Sequence, residues 1–185
     1  MRTYEVVIVD AARSPEELMS CLIDRPGDLN DDRIAGFVAD DQPAIGLKPG
    51  DQLVVELPGP WNGPVRVTAA DSTQLLLQTL DGHMEAGQIR FDLTNQSTDA
   101  DGRHCYTFRI RSWARGGDTA FTLLHLGLRI AKELQTAMWV AMCEGAVRLS
   151  EGERDGPISV TTEVLEDSSP DDDRIGEALE QIGGR

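Results

Sequence analysis

The segment from residue 79 to residue 91 carries the polar side chains whose types and spacing best suit chemistry. Gly82 and Gly87 bracket His83 and Glu85 between two runs typical of strands. Side chains two positions apart in an extended segment share a face, so the carboxylate can orient the imidazole. Such a pair can perform acid-base chemistry or hold a polar group of a ligand. The alternative is a glycine turn in which both side chains form a structural hydrogen-bonded pair.

A second group combines arginines with a tryptophan. Arg109, Arg111 and Trp113 stand at every second position of one strand-like run, so they share one face. An indole can stack on a guanidinium or on a flat ligand, and the guanidinium groups can also receive the protein's own acidic tail. The more ordinary interpretation is the solvated face of a sheet.

A third group lies on a long helical pattern. Gln135 stands beside the apolar positions of this pattern, near Met138, Trp139 and Met142. One polar group in an apolar wall can orient a largely apolar ligand. Core packing explains the same residues equally well, so both interpretations stay open.

Motifs of several catalytic classes are missing from the sequence. It has no Gly-x-Ser-x-Gly elbow, no Gly-x-x-x-x-Gly-Lys phosphate loop and no dinucleotide fingerprint. His83 and Glu85 fall short of the three or four ligands of a zinc site. The three cysteines are an odd number without a close pair, which favours reduced thiols. We therefore expect no cofactor and no metal, and we assign no catalytic residue.

The elements that must position these groups follow from the hydrophobic pattern. Residues 4 to 9 form a β-branched run that predicts a strand. Ser14 and Pro15 then predict the start of a helix, because serine caps a helix and proline suits its first turn. Pro26 and Gly27 end this helix, and residues 27 to 46 predict a loop with one short helix.

From residue 48 onward the pattern has period two, which predicts five short strands in an antiparallel meander. These strands cover residues 53 to 57, 65 to 68, 75 to 80, 89 to 94 and 106 to 114. We expect one face of the sheet to be covered and the other to be solvated. The residues expected on the solvated face of the last two strands are Arg90, Asp92, Thr107, Arg109 and Arg111.

The longest helical pattern runs from residue 119 to about residue 148, with Asp118 or Thr119 as its cap and Gly152 just past its end. Its apolar positions step mostly by three or four, so one side can cover the sheet. These positions are Phe121, Leu124, Leu128, Ala131, Leu134, Met138, Ala141 and Ala146. Residues 1–150 then form one domain, and residues 151–185 form an acidic extension with an edge strand at 158–165 and disorder from about residue 166.

Composition limits the partners. A chain of 185 residues with 40% hydrophobic residues can fill one core. The net charge of -15 argues against nucleic acid and against an anionic membrane surface. The sequence shows neither a leader pattern nor an apolar run long enough to span a membrane, so we expect a cytoplasmic monomer or homodimer.

The order of a strand, short helices, a meander and a long closing helix resembles the helix-grip arrangement of the START-like, or birch-pollen-allergen-like, superfamily. This resemblance implies an α+β fold in which a curved antiparallel sheet wraps around a long C-terminal helix and encloses an apolar cavity. Residues 79 to 148 are also similar to the uncharacterised bacterial and plant family called domain of unknown function 1990. The residues that carry this likeness are Thr79, Leu80, Gly82, His83, Glu85, Gly87, Phe91, Arg111, Ser112 and Gln135.

The sequence also departs from that family. The family has a proline where Met84 stands and an acidic pair where Gln88 and Ile89 stand, and it often has a proline where Trp113 follows Arg111 and Ser112. The resemblance therefore implies a fold and a pocket, and it supplies no reaction.

These observations predict a protein that binds a small, largely apolar ligand between its sheet and its long helix. The polar ligand-binding residues we expect are His83, Glu85, Tyr106, Ser112 and Gln135. The expected apolar walls are Phe91, Phe108, Ile110, Leu134 and Met138. One alternative is a protein-interaction module that uses the sheet surface or the acidic tail, and another is a cyclase or dehydratase that uses His83 and Glu85.

Overall fold

Nine strands and two helices make up the described part of the chain. The computed structural model describes residues 1–30, 36–56, 62–83, 86–115 and 125–163, with backbone alone at 114, 115, 125–132 and 134. The helices are α1 (Pro15–Asp24) and α2 (His125–Ser150), and a 3₁₀ turn covers Pro26–Leu29. The strands are β1 (Arg2–Ala11), β2 (Gly36–Ala39), β3 (Gln42–Pro43), β4 (Gln52–Glu56), β5 (Gly63–Asp71), β6 (Gln74–Thr79), β7 (Ala86–Thr98), β8 (His104–Arg115) and β9 (Glu153–Thr162).

All nine strands join one sheet in the order β3-β2-β4-β5-β6-β7-β8-β1-β9. Every pairing is antiparallel. Strands β4 to β8 are the predicted meander, β1 adds to β8, and β9 adds beyond β1 after the chain has passed through α2. The side chains of α2 pack on the inner face of this sheet, where the apolar core lies. The predicted α+β helix-grip fold is confirmed.

Helix α1 begins as predicted. The Ser14 hydroxyl accepts a hydrogen bond from the Glu17 N–H at 3.2 Å, and the Glu17 carboxylate accepts one from the Ser14 N–H at 2.8 Å. This reciprocal capping box satisfies two backbone donors that the helix itself leaves unpaired. The helix then buries Leu18, Met19 and Leu22 against the core.

The prediction of a loop with one short helix for residues 27 to 46 is partly wrong. The short helix is the 3₁₀ turn, but strands β2 and β3 follow and form a hairpin in which Ala39 pairs with Gln42. Asp40 and Asp41 connect them with φ of 50° and 60°. A two-residue hairpin turn of type I′ requires positive φ at both positions, which Asn-Gly or Asp-Gly signals more clearly than Asp-Asp does.

The buried face of α2 differs from the predicted stripe. Trp139, Met142 and Cys143 are buried together with Met138 and Ala146, whereas Ala141 is half-buried. The buried face is wider because α2 packs both on the sheet and on the 3₁₀ turn. The predicted cap at Asp118 or Thr119, together with Phe121 and Leu124, lies outside the described residues. The side chains of Leu128, Ala131 and Leu134 also lie outside them.

Strand β9 begins five residues before the predicted edge strand at 158–165 and ends at Thr162. Gly156, with a φ of 79°, and Pro157 interrupt the apolar alternation, and a register shift against β1 absorbs the extra residues. Residues 164 to 185, which include the predicted disordered tail, lie outside the described part. Neither α1 nor α2, within the ranges described, is both long and apolar enough to cross a membrane.

The two faces of β7 and β8 alternate as predicted, with one difference. Ile89, Phe91 and Leu93 are buried on the inner face of β7, and Tyr106, Phe108 and Ile110 are buried on the inner face of β8. On the outer face, Asp92 and Thr107 are only 5% and 6% exposed, so this face is not uniformly solvated. Asp92 is buried because long arginine side chains from neighbouring positions converge on it.

Candidate ligand-binding site

A small cleft opens at one end of the molecule, between the sheet and α2. Its volume is about 10 Å³, which is room for about one water molecule. The cleft is lined by Thr79, His83, Gly87, Gln88, Ile89, Ser112, Trp113 and Gln135. Three of the polar residues predicted from the sequence, His83, Ser112 and Gln135, therefore lie in one place.

A turn and a glycine position His83. After β6 the chain turns at Gly82, where φ is 92°, and the His83 N–H donates a hydrogen bond to the Leu80 carbonyl at 3.0 Å. The imidazole lies against Gly63 of β5, because a Cβ built on Gly63 would overlap the Cδ2 and Nε2 atoms of the ring. The absence of a side chain at position 63 thus gives the His83 ring its place at the cleft.

We expect Gly63→Ala to displace the His83 ring, since the added methyl group occupies the space of two ring atoms. The measurement is the nuclear magnetic resonance spectrum of the His83 imidazole. Gly27→Ala is the matched control, because a Cβ at position 27 meets no atom within 4 Å. Unchanged His83 ring signals in Gly63→Ala would contradict this placement.

Thr79 has a structural role at the cleft. Its hydroxyl accepts a hydrogen bond from the Gly87 N–H at 2.7 Å and lies 3.1 Å from the Gly87 carbonyl, to which it donates. Gln78 also donates to that carbonyl, at 2.8 Å. These bonds continue the pairing of β6 with β7 past the last regular pair, Gln78 with Gln88. The Thr79 hydroxyl is therefore used within the protein.

Ser112 and Gln135 differ from Thr79 in this respect. Within the described residues, neither side chain has a hydrogen-bond partner, and both are half-buried at the cleft. Ser112 comes from the inner face of β8, two residues after the buried Ile110. Gln135 comes from α2 opposite. The hydroxyl and the amide can both donate and accept hydrogen bonds, so together they can hold a polar group of a ligand.

Sequence reasoning missed Arg2 at this end of the sheet. Arg2 pairs with Ser112 across β1 and β8, and its guanidinium donates to the Thr136 hydroxyl at 3.3 Å. The Tyr4 hydroxyl lies 3.5 Å from the same oxygen. The alternation of β1 could have found Arg2, since Tyr4, Val6 and Ile8 are buried and Arg2 has the same parity.

An aromatic pair forms the layer beneath the cleft. Phe91 follows Ile89 on the inner face of β7, and Trp139 lies one helical turn beyond Gln135. The two rings meet edge to face with centroids 5.7 Å apart. Trp139 is 1% exposed, and its Nε1 has no hydrogen-bond partner in the part of the chain that the structure describes. A buried donor without an acceptor costs about 1–3 kcal/mol. A ligand oxygen that accepts a hydrogen bond from this N–H would therefore bind more tightly.

The structure places Tyr106 away from the cleft. Its hydroxyl donates to the Arg13 carbonyl at 3.1 Å, near Ser150 at the far end of α2. Burial raises the pKa of Tyr106 to about 12, so the phenol is neutral near pH 7. The predicted walls Phe91, Phe108, Ile110 and Met138 are all buried in the core. Glu85 and the side chain of Leu134 lie outside the described residues.

Comparison with known proteins concerns the fold. No family model and no curated protein matches the chain. A conserved protein from Geobacillus kaustophilus is similar in structure at 13% identity, covering 84% of this chain and 99% of its own, with a TM-score of 0.46. A START superfamily protein from Mycobacterium smegmatis is similar at 13% identity, covering 82% and 98%, with a TM-score of 0.43. The antiparallel sheet and the closing helix form a helix-grip arrangement, and likenesses at this identity bear on the fold alone.

Proposed function

We propose that this protein binds a small, largely apolar ligand between its sheet and α2, with its polar end at the cleft. The observation that carries this proposal is a pair of polar side chains, Ser112 and Gln135, that line the cleft and have no hydrogen-bond partner among the described residues. Binding sites for small molecules typically combine apolar walls with a few convergent polar groups.

The layers of the site suggest how such a ligand is oriented. A polar end group exchanges hydrogen bonds with Ser112 and Gln135 and lies beside His83 at the rim. The apolar part extends towards Phe91 and Trp139. An oxygen within the ligand can accept a hydrogen bond from the Trp139 N–H, which has no acceptor among the residues that the structure describes. The proposed ligand is therefore an amphiphile with at least one acceptor.

The size of the cleft implies that binding involves movement. A volume of about 10 Å³ admits about one water molecule, so a ligand of several carbon atoms must displace α2 or the segments beside it. Association that requires such a change is slower than ordinary docking. The proposed likeness to domain of unknown function 1990 agrees with this function, since that family implies the same fold and pocket.

The test uses 8-anilinonaphthalene-1-sulfonate, a fluorescent amphiphile whose sulfonate accepts hydrogen bonds. We expect saturable binding of one probe per chain, and about tenfold weaker binding by Gln135→Leu, which corresponds to one lost hydrogen bond of about 1.4 kcal/mol. The measurement is a fluorescence titration, with thermal unfolding to verify that each variant is folded.

Gln52→Leu is the matched control. This substitution makes the same chemical change at an exposed position of β4, away from the cleft. The control should bind the probe as the unmodified protein does. Equal weakening by both variants, or the absence of saturable binding, would contradict the proposal.

A further inference from the structure

The outer face of β7 and β8 gathers three arginines around one carboxylate. Arg109 donates two hydrogen bonds to Asp92, at 3.0 and 2.8 Å, and Arg111 donates one at 2.8 Å. The Arg90 Nε lies 3.6 Å from the same carboxylate. The Arg111 guanidinium also lies 5.3 Å from the centre of the Trp113 ring. We call Arg90, Asp92, Arg109, Arg111 and Trp113 the arginine face.

Among the described residues, the ion pairs of the arginine face leave an excess of positive charge. Asp92 and Glu5, whose carboxylate is 3.8 Å from Arg109, supply two negative charges against three positive ones. One positive charge therefore remains in a chain whose net charge is -15. The side chains of Arg90, Arg109 and Arg111 are 39%, 24% and 22% exposed, so an anion can reach them from solvent.

A segment with the opposite charge to the arginine face follows shortly after β9 in the sequence. Residues 166–173, the acidic segment, contain five Asp or Glu and no Lys or Arg. Strands β8 and β9 are both antiparallel to β1, so they run in the same direction. Thr161 and Arg111 both pair with Thr3, which places them about 10 Å apart across two strand spacings. The chain therefore leaves the sheet at the end where Arg111 and Trp113 lie.

We propose that the acidic segment docks on the arginine face of its own chain. Glu166 follows Thr161 by five positions, and an extended chain spans about 17 Å over that distance, which exceeds the gap to Arg111. A short tether also holds the segment at an effective concentration of about millimolar, so weak pairs suffice. Carboxylates then complete the guanidinium hydrogen bonding that Asp92 alone cannot supply. This contact is independent of the ligand-binding function proposed above.

The experiment follows the Nε–Hε signals of Arg90, Arg109 and Arg111 and the indole signal of Trp113 by nuclear magnetic resonance in the full chain. The test variant is E166Q/D167N/D171N/D172N/D173N. At about 0.01 M salt, where charges act over about 30 Å, we expect these signals to differ between the full chain and the variant. At about 1 M salt, where screening reduces the range to about 3 Å, the difference should vanish.

A matched control removes the same five charges elsewhere. E16Q/D24N/D28N/D40N/D41N changes exposed acids on α1, the 3₁₀ turn and the β2–β3 hairpin, and its signals should match those of the full chain. Identical low-salt signals in the test variant and the full chain would overturn the proposal. Signals that change with protein concentration would overturn it as well, because the acidic partner would then be a second molecule.

Discussion

Replacement of Gly145 by alanine is expected to lower the free energy of unfolding by about 3 kcal/mol. Gly145 is buried where α2 crosses the 3₁₀ turn, and a Cβ there would overlap the Leu29 carbonyl oxygen and lie 2.8 Å from the Leu29 Cα. Both atoms belong to the backbone, so the clash cannot be relieved by a side-chain rotation. Urea denaturation measures the effect.

Whether Gly145→Ala lowers or raises the stability shows whether α2 packs closely on Leu29. Alanine is favoured over glycine within a helix by about 1 kcal/mol, so without the close approach the same substitution would stabilise the protein. Gly27→Ala in the same 3₁₀ turn is the control, because it introduces no contact within 4 Å. An unchanged or increased stability of Gly145→Ala would show that α2 does not pack on Leu29 in this way.

The second large effect is expected for Asp92→Asn, which should destabilise the protein by about 3 kcal/mol. The substitution removes the only buried carboxylate of the arginine face and leaves three guanidinium groups close to one another. Urea denaturation near pH 7 measures this loss. Asp10→Asn is the control: it weakens an exposed pair with Arg103, 2.8 Å long, and should leave the unfolding midpoint unchanged. Equal midpoints for Asp92→Asn and the unmodified protein would contradict the role of Asp92.

The same carboxylate predicts the response to acid. Burial alone would raise the pKa of Asp92, but hydrogen bonding from Arg109 and the charges of Arg109, Arg111 and Arg90 outweigh burial and hold this pKa below its ordinary value. A lowered pKa in the folded state stabilises the protein above the unfolded pKa of about 3.9, and this stabilisation is lost as the pH falls through the folded pKa. The unfolding midpoint should therefore fall more steeply below about pH 4 in the unmodified protein than in Asp92→Asn. Parallel pH profiles would contradict this.

The fold could be predicted where local and tertiary preferences agree. The alternation of β4 to β8 and the helix cap at Ser14 are local patterns that the structure retains. Gly145 shows the opposite case, since a glycine within a helix is unfavourable locally and is explained only by its contact with Leu29. Asp92 is similar, because alternation assigns it to the outer face while the reach of the arginines decides its burial.

The site could be predicted only in part for a geometric reason. Alternation correctly placed Tyr106 and Ser112 on the same face of β8, but six residues of strand separate them by about 20 Å. A shared face therefore does not imply a shared site. His83, Ser112 and Gln135 come together because one turn, one strand end and one helix meet at the same end of the sheet.

The position of β1 between β8 and β9 determines when the cleft can form. Arg2 pairs with Ser112 and also with Thr162, so each contact joins residues more than 100 positions apart in sequence. Contacts between such distant residues form slowly, because a long loop must close before they contribute any stability. We therefore expect the end of the sheet that holds Arg2 beside Ser112 to be completed late in folding. Ligand binding at the cleft would then report that the first strand has paired with β8 and β9.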